Sequence, residues 1–188
     1  MPRFLLLMAL LPVFLLGGCA IAPVAVQRPA QPDAPFAFNG RVAVKQGELH
    51  DSAGMRWVHR AEEDEILLLA PLGQTVARIH RTDGEATLDA SGKHYAAQDM
   101  ESLMQQALGW QLPLSGLRYW VNALPAPEGE FTMEHDANGQ LSLLRQQGWE
   151  ISYSRYAALT PDALPLRLKL QREGVEVLLL IDEWEDVR

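Results

Sequence analysis

The feature that most constrains the fold is a series of short runs in which apolar and polar residues alternate between turn residues. The run at 36–46 reads FAFNGRVAVKQ, with phenylalanine or valine at alternate positions and Arg41 and Lys45 between them. A period of two is typical of β-strands that bury one face. The sequence predicts about eleven such strands, at 36–46, 52–60, 65–70, 75–81, 86–90, 94–97, 129–136, 140–147, 149–156, 165–172 and 175–184.

Only the middle of the chain departs from this period. Between residues 98 and 109, apolar residues recur at i, i+3, i+4, i+7 and i+8, which predicts a helix. Asp99 is its predicted N-cap and Gly109 the residue that follows it. A second helix is predicted between Ser115 and Pro125. Ser115 is its possible N-cap, and Pro125 ends it.

Many short antiparallel strands with one apolar face predict a strongly curved sheet or a barrel. The two helices are the only long amphipathic elements, so we expect them to cover an open end of that sheet. The predicted fold is therefore mainly β, a single antiparallel, half-open barrel of about eleven strands with a helical lid inserted mid-chain.

The N-terminal residues indicate export. Arg3 precedes an apolar run at 4–16, too short for a membrane span, and LLGGC follows with small residues directly before Cys19. This resembles the lipobox of bacterial lipoproteins, in which the cysteine becomes the acylated first residue. The alternative is an ordinary secretory signal with a chance cysteine. We therefore predict a signal peptide at 1–18, a lipidated Cys19 with a proline-rich tether to residue 35, and one domain at 36–188.

Composition excludes several classes of function. The formal net charge is −8 and no basic stripe appears, which argues against nucleic acid as a partner. Cys19 is the only cysteine, so neither a disulfide nor a two-cysteine metal site is available. The five histidines are scattered singly, and no nucleophile elbow, zinc-protease motif or phosphate loop occurs. We expect no catalytic residue, no metal and no cofactor.

Methionines and tryptophans on and beside the predicted helices are the unusual apolar residues. Methionine is flexible and suits irregular apolar ligands, although core packing is the commoner role of any one such residue. As a set on helices laid across a curved sheet, they could line a cavity for alkyl chains. The candidate cavity residues are Met55, Trp57, Leu67, Leu69, Met100, Leu103, Met104, Leu108, Trp110, Leu117, Trp120, Val121, Trp149 and Ile151.

Three stretches carry a resemblance to a known family. FNGRVAV at 38–44, LLLAPLG at 67–73 and above all GWQLPLSGLRYWVNALPAP at 109–127 are similar to the LolB family of outer-membrane lipoproteins. Ala20 after the lipobox and Trp184 near the C-terminus also fit. The resemblance implies an unclosed eleven-stranded barrel with a helical lid, which agrees with the strand count above.

The resemblance also implies a function without catalysis. A LolB-like protein accepts acylated lipoproteins from a LolA-like periplasmic carrier, shelters their acyl chains, and places them in the inner leaflet of the outer membrane without nucleotide. We expect a monomer, lipid-anchored in the outer membrane and facing the periplasm. The family carries a protruding loop with an apolar tip, which maps onto Pro71, Leu72 and Gly73. Some members have asparagine where Ala70 stands here.

Two other interpretations of the sequence stay open. A non-catalytic outer-membrane lipoprotein that serves as an envelope assembly scaffold would have a filled core with no room for alkyl chains. A lipid-modifying hydrolase would need a nucleophile constellation that the sequence lacks. For Leu72, the alternative to a protruding tip is a turn leucine that packs back onto its own hairpin.

Overall fold

The computed structural model of the chain describes residues 28, 31, 33–82 and 84–187. The predicted signal peptide, Cys19 and most of the tether lie outside the described residues. Eleven strands and two helices make up the domain, close to their predicted positions. The strands are β1 Phe36–Gln46, β2 Leu49–Arg60, β3 Glu63–Leu69, β4 Thr75–Thr82, β5 Glu85–Ala90, β6 Lys93–Ala97, β7 Phe131–His135, β8 Leu141–Gln146, β9 Trp149–Tyr156, β10 Pro165–Arg172 and β11 Val175–Glu185. The helices are α1 Met100–Leu108 and α2 Leu114–Trp120.

All eleven strands form one antiparallel sheet in the order β6-β5-β4-β3-β2-β1-β11-β10-β9-β8-β7. It consists of two meanders that meet where β1 pairs with β11. A bulge at Asn39/Gly40 interrupts this pairing, and a Cβ on Gly40 would lie 2.2 Å from the backbone oxygen of Leu180. Glycine at this position therefore lets the two meanders approach each other. Strands β6 and β7 are the edges, so the sheet is open rather than closed.

Antiparallel pairing fixes which loops share an end of the sheet. The loops at 47–48, 70–74, 91–92, 147–148 and 173–174 lie at one end, which we call the tip end. The loops at 61–62, 136–140 and 157–164 and the turn at Gly84 lie at the other, which we call the base end. The chain enters β1 at the base end. This division places the functional features described below.

The first helix begins and ends as predicted. Asp99 accepts a hydrogen bond from the backbone N–H of Ser102 at 2.7 Å, and Gly109 closes the helix with a positive φ of 71°. This helix packs against β5 and β6. The link to the second helix is tied to the tip end, where Trp110 Nε1 donates to Asp51 at 3.2 Å.

The second helix differs from the prediction at both ends. It starts one residue before Ser115, which is therefore not its cap, and the Ser115 N–H instead donates to Glu101 Oε1 of the first helix at 2.7 Å. A carboxylate from a neighbouring helix thus satisfies a free N–H of the first turn. The helix stops at Trp120, well before Pro125, because Ala123 takes a positive φ of 54°.

Candidate functional site

The inner face of the sheet and both helices share one buried apolar cluster. Of the fourteen candidate cavity residues, eleven are buried in this cluster and Leu108 packs against it. The eleven are Met55, Trp57, Met100, Leu103, Met104, Trp110, Leu117, Trp120, Val121, Trp149 and Ile151. The structure therefore brings together residues from β2, β9, α1, α2 and their link.

The cluster is filled by the protein's own side chains. Trp57 from the sheet and Leu103 and Trp120 from the helices expose none of their surface, and close packing leaves no space beside them for a ligand. A hollow that is vacant at rest, as the predicted alkyl cavity requires, is not present around these residues. An alkyl chain can reach them only if a helix moves away from the sheet.

Two of the candidate residues lie on the other face of the sheet. In the pairing of β2 with β3, Met55 lies opposite Leu68 and Trp57 opposite Ile66, so these four side chains share the inner face. Leu67 and Leu69 point to the outer face, and the expectation that they line the same cavity is wrong. The run EILLLA is apolar at every position, so its period cannot reveal which residues face inward.

A buried amide joins the second helix to strand β8. Gln146 Oε1 accepts hydrogen bonds from Trp120 Nε1 at 2.9 Å and from the Ala126 N–H at 2.8 Å. Its Nε2 donates to the carbonyl oxygens of Ala126 at 2.8 Å and Glu128 at 3.1 Å. Tyr153 adds a hydrogen bond from its hydroxyl to the Trp120 carbonyl at 2.9 Å. These bonds hold the end of the helix against β8 and β9.

Two clefts follow the seam between the second helix and the β8–β9 turn. One has a volume of about 310 Å³ and lies among Glu101, Leu112, Trp149 and Arg172. The other, of about 250 Å³, lies beside Tyr119. Ser115 and Gln147 line both clefts, so the two openings are adjacent along one side of the helix.

A buried polar cluster lies at the base end of the same inner face. Asp64 accepts hydrogen bonds from Trp57 Nε1 and His59 Nδ1, both at 2.8 Å, and from Arg81 Nε at 2.6 Å. Burial alone would raise the pKa of Asp64, but the hydrogen bonds from His59, Trp57 and Arg81 outweigh it and lower the pKa. The cluster therefore contains a carboxylate that stays ionised inside the fold.

The chain ahead of β1 connects this cluster to the second helix. Asp33 Oδ1 lies 3.4 Å from His59 Nε2 and 3.8 Å from Arg118 Nε. The carboxylate of Asp33 thus lies between a residue of β2 and a residue of α2. The segment that leads into the domain therefore contacts both the sheet and the helix that covers it.

At the tip end, the β3–β4 loop forms a tight turn around Pro71 and Leu72. The Gly73 N–H donates to the Ala70 carbonyl at 2.8 Å, and the Ala70 N–H to the Gln74 carbonyl at 2.9 Å. Pro71 is at the second position of this turn, where proline is favoured. Gly73 takes a left-handed φ of 82°, which is typical of the residue that ends such a hairpin loop.

Leu72 projects from this turn into solvent. It exposes 85% of its surface, the largest fraction among the large apolar residues that the structure describes. The alternative in which this leucine packs back onto its own hairpin is wrong. Val76, 48% exposed, lies close by on the same hairpin and extends the apolar surface of the tip.

Two features are absent from the described part of the chain. No helix there is long and apolar enough to cross a membrane. No group of three or more histidine, cysteine or acidic side chains there is arranged to hold a metal ion.

Fold and site together define a class of protein in which an open antiparallel sheet and two helices inserted mid-chain share one buried apolar cluster. The sequence model described as "Outer membrane lipoprotein LolB" matches residues 34–184. The chain belongs to the LolB family, whose members are outer-membrane lipoproteins of Gram-negative bacteria that serve lipoprotein localisation.

Two LolB relatives support this assignment over most of the chain. The outer-membrane lipoprotein LolB of Chromobacterium violaceum is 39% identical, with 98% of this chain and 100% of that protein aligned. LolB of Nitrosomonas europaea is 36% identical over 92% of this chain and 89% of its own length. A LolA superfamily protein from Nitrosomonas europaea is 9% identical, covers 84% of this chain and 89% of its own, and has a TM-score of 0.47.

Proposed function

We propose that this protein accepts acylated lipoproteins from a LolA-like periplasmic carrier and inserts them into the inner leaflet of the outer membrane without nucleotide. In this proposal the acyl chains lie between the inner face of the sheet and the two helices. A lipidated Cys19 and the tether anchor the domain to the same membrane. The observation that carries the proposal is the extended apolar cluster shared by the helices and the sheet, with clefts along the seam beside α2.

The apolar character of the shared cluster suits acyl chains. Burying one methylene group contributes about 0.8 kcal/mol, so the chains of a lipoprotein represent tens of kcal/mol, roughly, even after partial self-shielding. A carrier and a receptor must therefore offer comparable apolar surface. Because the helices fill the inner face at rest, the receptor would exchange contacts with its own helices for contacts with cargo, which leaves the interior covered at every stage.

The seam beside α2 is the proposed route of entry. The first helix packs on β5 and β6, whereas the end of the second is joined to β8 and β9 through Trp120, Gln146 and Tyr153. Loss of these few hydrogen bonds would allow the second helix to move while the first stays on the sheet. The clefts at Ser115 and Gln147 are where such a separation would start.

Leu72 is proposed to discharge the cargo. Full burial of one leucine side chain contributes about 1.5–3 kcal/mol, which supports reversible contact with a bilayer but not stable anchoring. The overall acidic charge offers little attraction to anionic headgroups, so an apolar residue at the tip suits this contact. Transfer would run downhill from carrier to receptor to membrane, since no nucleotide-binding motif is present.

A second candidate is an envelope assembly scaffold that binds protein partners. The filled interior favours this candidate, because a scaffold needs no room for alkyl chains. The two functions differ in whether the helices ever separate from the sheet, and a transfer assay distinguishes them.

The assay uses the chain lacking residues 1–19, a carrier loaded with acylated lipoprotein, and liposomes, all without nucleotide. We expect lipoprotein to pass first to this protein and then to the liposomes. The Leu72→Glu variant should still take cargo from the carrier but should release it to liposomes more slowly. If the chain lacking residues 1–19, with Leu72 intact, takes no cargo from the carrier, the scaffold function would be favoured.

A further inference from the structure

A second leucine is almost as exposed as Leu72, at the opposite end of the sheet. Leu159, in the loop at 157–164 between β9 and β10, exposes 81% of its surface at the base end. Phe131 and Met133, on the edge strand β7, expose only 45% and 40%. Single exposed leucines are common on protein surfaces, so the significance of Leu159 depends on how it is held and what surrounds it.

The backbone on both sides of Leu159 is fixed by a buried side chain. Gln140 is 3% exposed, and its Nε2 donates to the carbonyl oxygens of Ala158 at 2.7 Å and Thr160 at 2.8 Å. The Ala157 N–H also donates to the Leu164 carbonyl at 2.9 Å and closes the loop. Turning the backbone at Leu159 toward the sheet would break hydrogen bonds of a buried amide, which is costly. Its projection is therefore a built feature of the loop.

Unpaired positive charge lies beside this loop. Arg155 and Arg167 are Cα partners across the β9–β10 pair, and both are exposed. Like charges directly opposite each other on a sheet are destabilising. Within the described ranges, no ion pair joins either guanidinium to a carboxylate, although the chain as a whole is acidic. Two adjacent arginines of this kind are complementary to an anionic surface.

The chain ahead of the domain leads to the same loop. Arg28 Nη2 donates to the carbonyl oxygen of Pro161 at 2.8 Å. Cys19 lies nine residues before Arg28 in the sequence, and nine extended residues span at most about 30 Å. This reach is shorter than the length of the 12-residue strand β2, about 40 Å. While Arg28 contacts Pro161, a lipid on Cys19 holds the bilayer near the base end.

We propose that the base-end surface formed by Leu159, Arg28, Arg155 and Arg167 contacts a bilayer that contains anionic phospholipid. Leu159 enters the acyl region, and the arginines lie against the phosphate groups. This contact holds the anchored domain against the membrane with the Leu72 tip directed away from it. Release of Arg28 from Pro161 extends the free part of the tether as far as Asp33, which stays beside His59 and Arg118, and the domain can then turn its tip end to the same leaflet. The inference rests on the proposed anchor at Cys19.

The test places an environment-sensitive fluorophore on Leu159→Cys in the full-length acylated protein. Acylation blocks Cys19, which is the only native cysteine, so the new thiol is labelled alone. The protein is reconstituted into phosphatidylethanolamine vesicles with phosphatidylglycerol, with a quencher on the lipid chains. Glu62→Cys is the matched control, because Glu62 is also exposed in a base-end turn but is polar.

We expect a blue shift and strong quenching at position 159 and water-like emission at position 62. Replacing both Arg155 and Arg167 by glutamine should lower the equilibrium constant for bilayer contact at position 159 by roughly fivefold for each arginine, or about 25-fold in total. Water-like emission at 159 in vesicle-bound protein would overturn the inference and leave the proposed function intact. Protein that does not associate with vesicles at all would overturn the anchor and, with it, this inference.

Discussion

The indole nitrogen of Trp120, on the second helix, lies 2.9 Å from Oε1 of Gln146, on strand β8. The Gln146 amide makes all four hydrogen bonds that its two lone pairs and two N–H groups allow. One buried side chain thus connects the helix, the segment after it and the sheet. This connection is the point at which the covering helix can be loosened without changing the apolar core.

Replacing Gln146 by leucine should loosen the second helix. Leucine leaves the Trp120 and Ala126 N–H groups without partners, so the free energy of unfolding should fall by about 2–4 kcal/mol. Uptake of a fluorescent fatty-acid probe should become faster. Urea unfolding and stopped-flow fluorescence measure the two effects, and Gln98→Leu, at an exposed position that lines neither cleft, is the control. A less stable variant with unchanged uptake would show that the seam is not the entrance.

Replacing Leu72 by glutamate should slow release of cargo into liposomes by about tenfold or more, because a charged tip cannot enter the bilayer. Thermal stability should not change, because Leu72 exposes 85% of its surface and therefore buries little area in the folded protein. Gln74→Glu adds the same charge to the same exposed loop and should have a smaller effect. Normal release by the Leu72 variant would contradict the role of the tip.

Replacing Asp64 by asparagine should make stability less dependent on pH. The folded-state pKa of Asp64 is lowered, so the carboxylate stabilises the fold above its unfolded pKa of about 3.9. That stabilisation disappears as the pH falls through the folded-state value. At pH 7 we expect a loss of about 2–4 kcal/mol. Urea unfolding between pH 2.5 and 7 measures the free energy of unfolding of both proteins. A difference between them that is as large at pH 2.5 as at pH 7 would refute the prediction.

Replacing Gly116 by alanine should destabilise the second helix against the sheet. A Cβ at this position would lie 2.7 Å from the buried ring of Trp120, so the ring must shift. The expected cost of overpacking, about 1–3 kcal/mol, exceeds the gain of about 1 kcal/mol from helix propensity. Thermal unfolding is the measurement, with Ser115→Ala at the exposed neighbour as control. A more stable variant would show that the helix adjusts freely.

Sequence patterns predict most of this fold because alternation and turn residues are local signals. The eleven strands and the first helix lie within a few residues of their predicted positions, and Asp99 and Gly109 end the helix as expected. The start of the second helix was missed because its first turn is satisfied by Glu101, fourteen residues away. No local pattern encodes a cap supplied by another helix.

The site was harder to predict for the same reason. The orientation of Leu67 and Leu69 depends on the pairing of β3 with β2, and a uniformly apolar run contains no information about its own face. Gln146 carried no signal in the sequence, because a glutamine near the end of a strand is ordinarily exposed. Its role follows only from the fold, which brings it beside Trp120.

The proposed function requires acyl chains to enter between the helices and the inner face. Its most direct test is photo-crosslinking to radiolabelled acyl chains of bound cargo, from a diazirine side chain at Met104, which is buried in the cluster. The same group at Leu67, on the outer face of the sheet, is the control. We predict strong labelling from position 104 and little from position 67. Cargo that binds without labelling from 104, or equal labelling from both positions, would contradict the account.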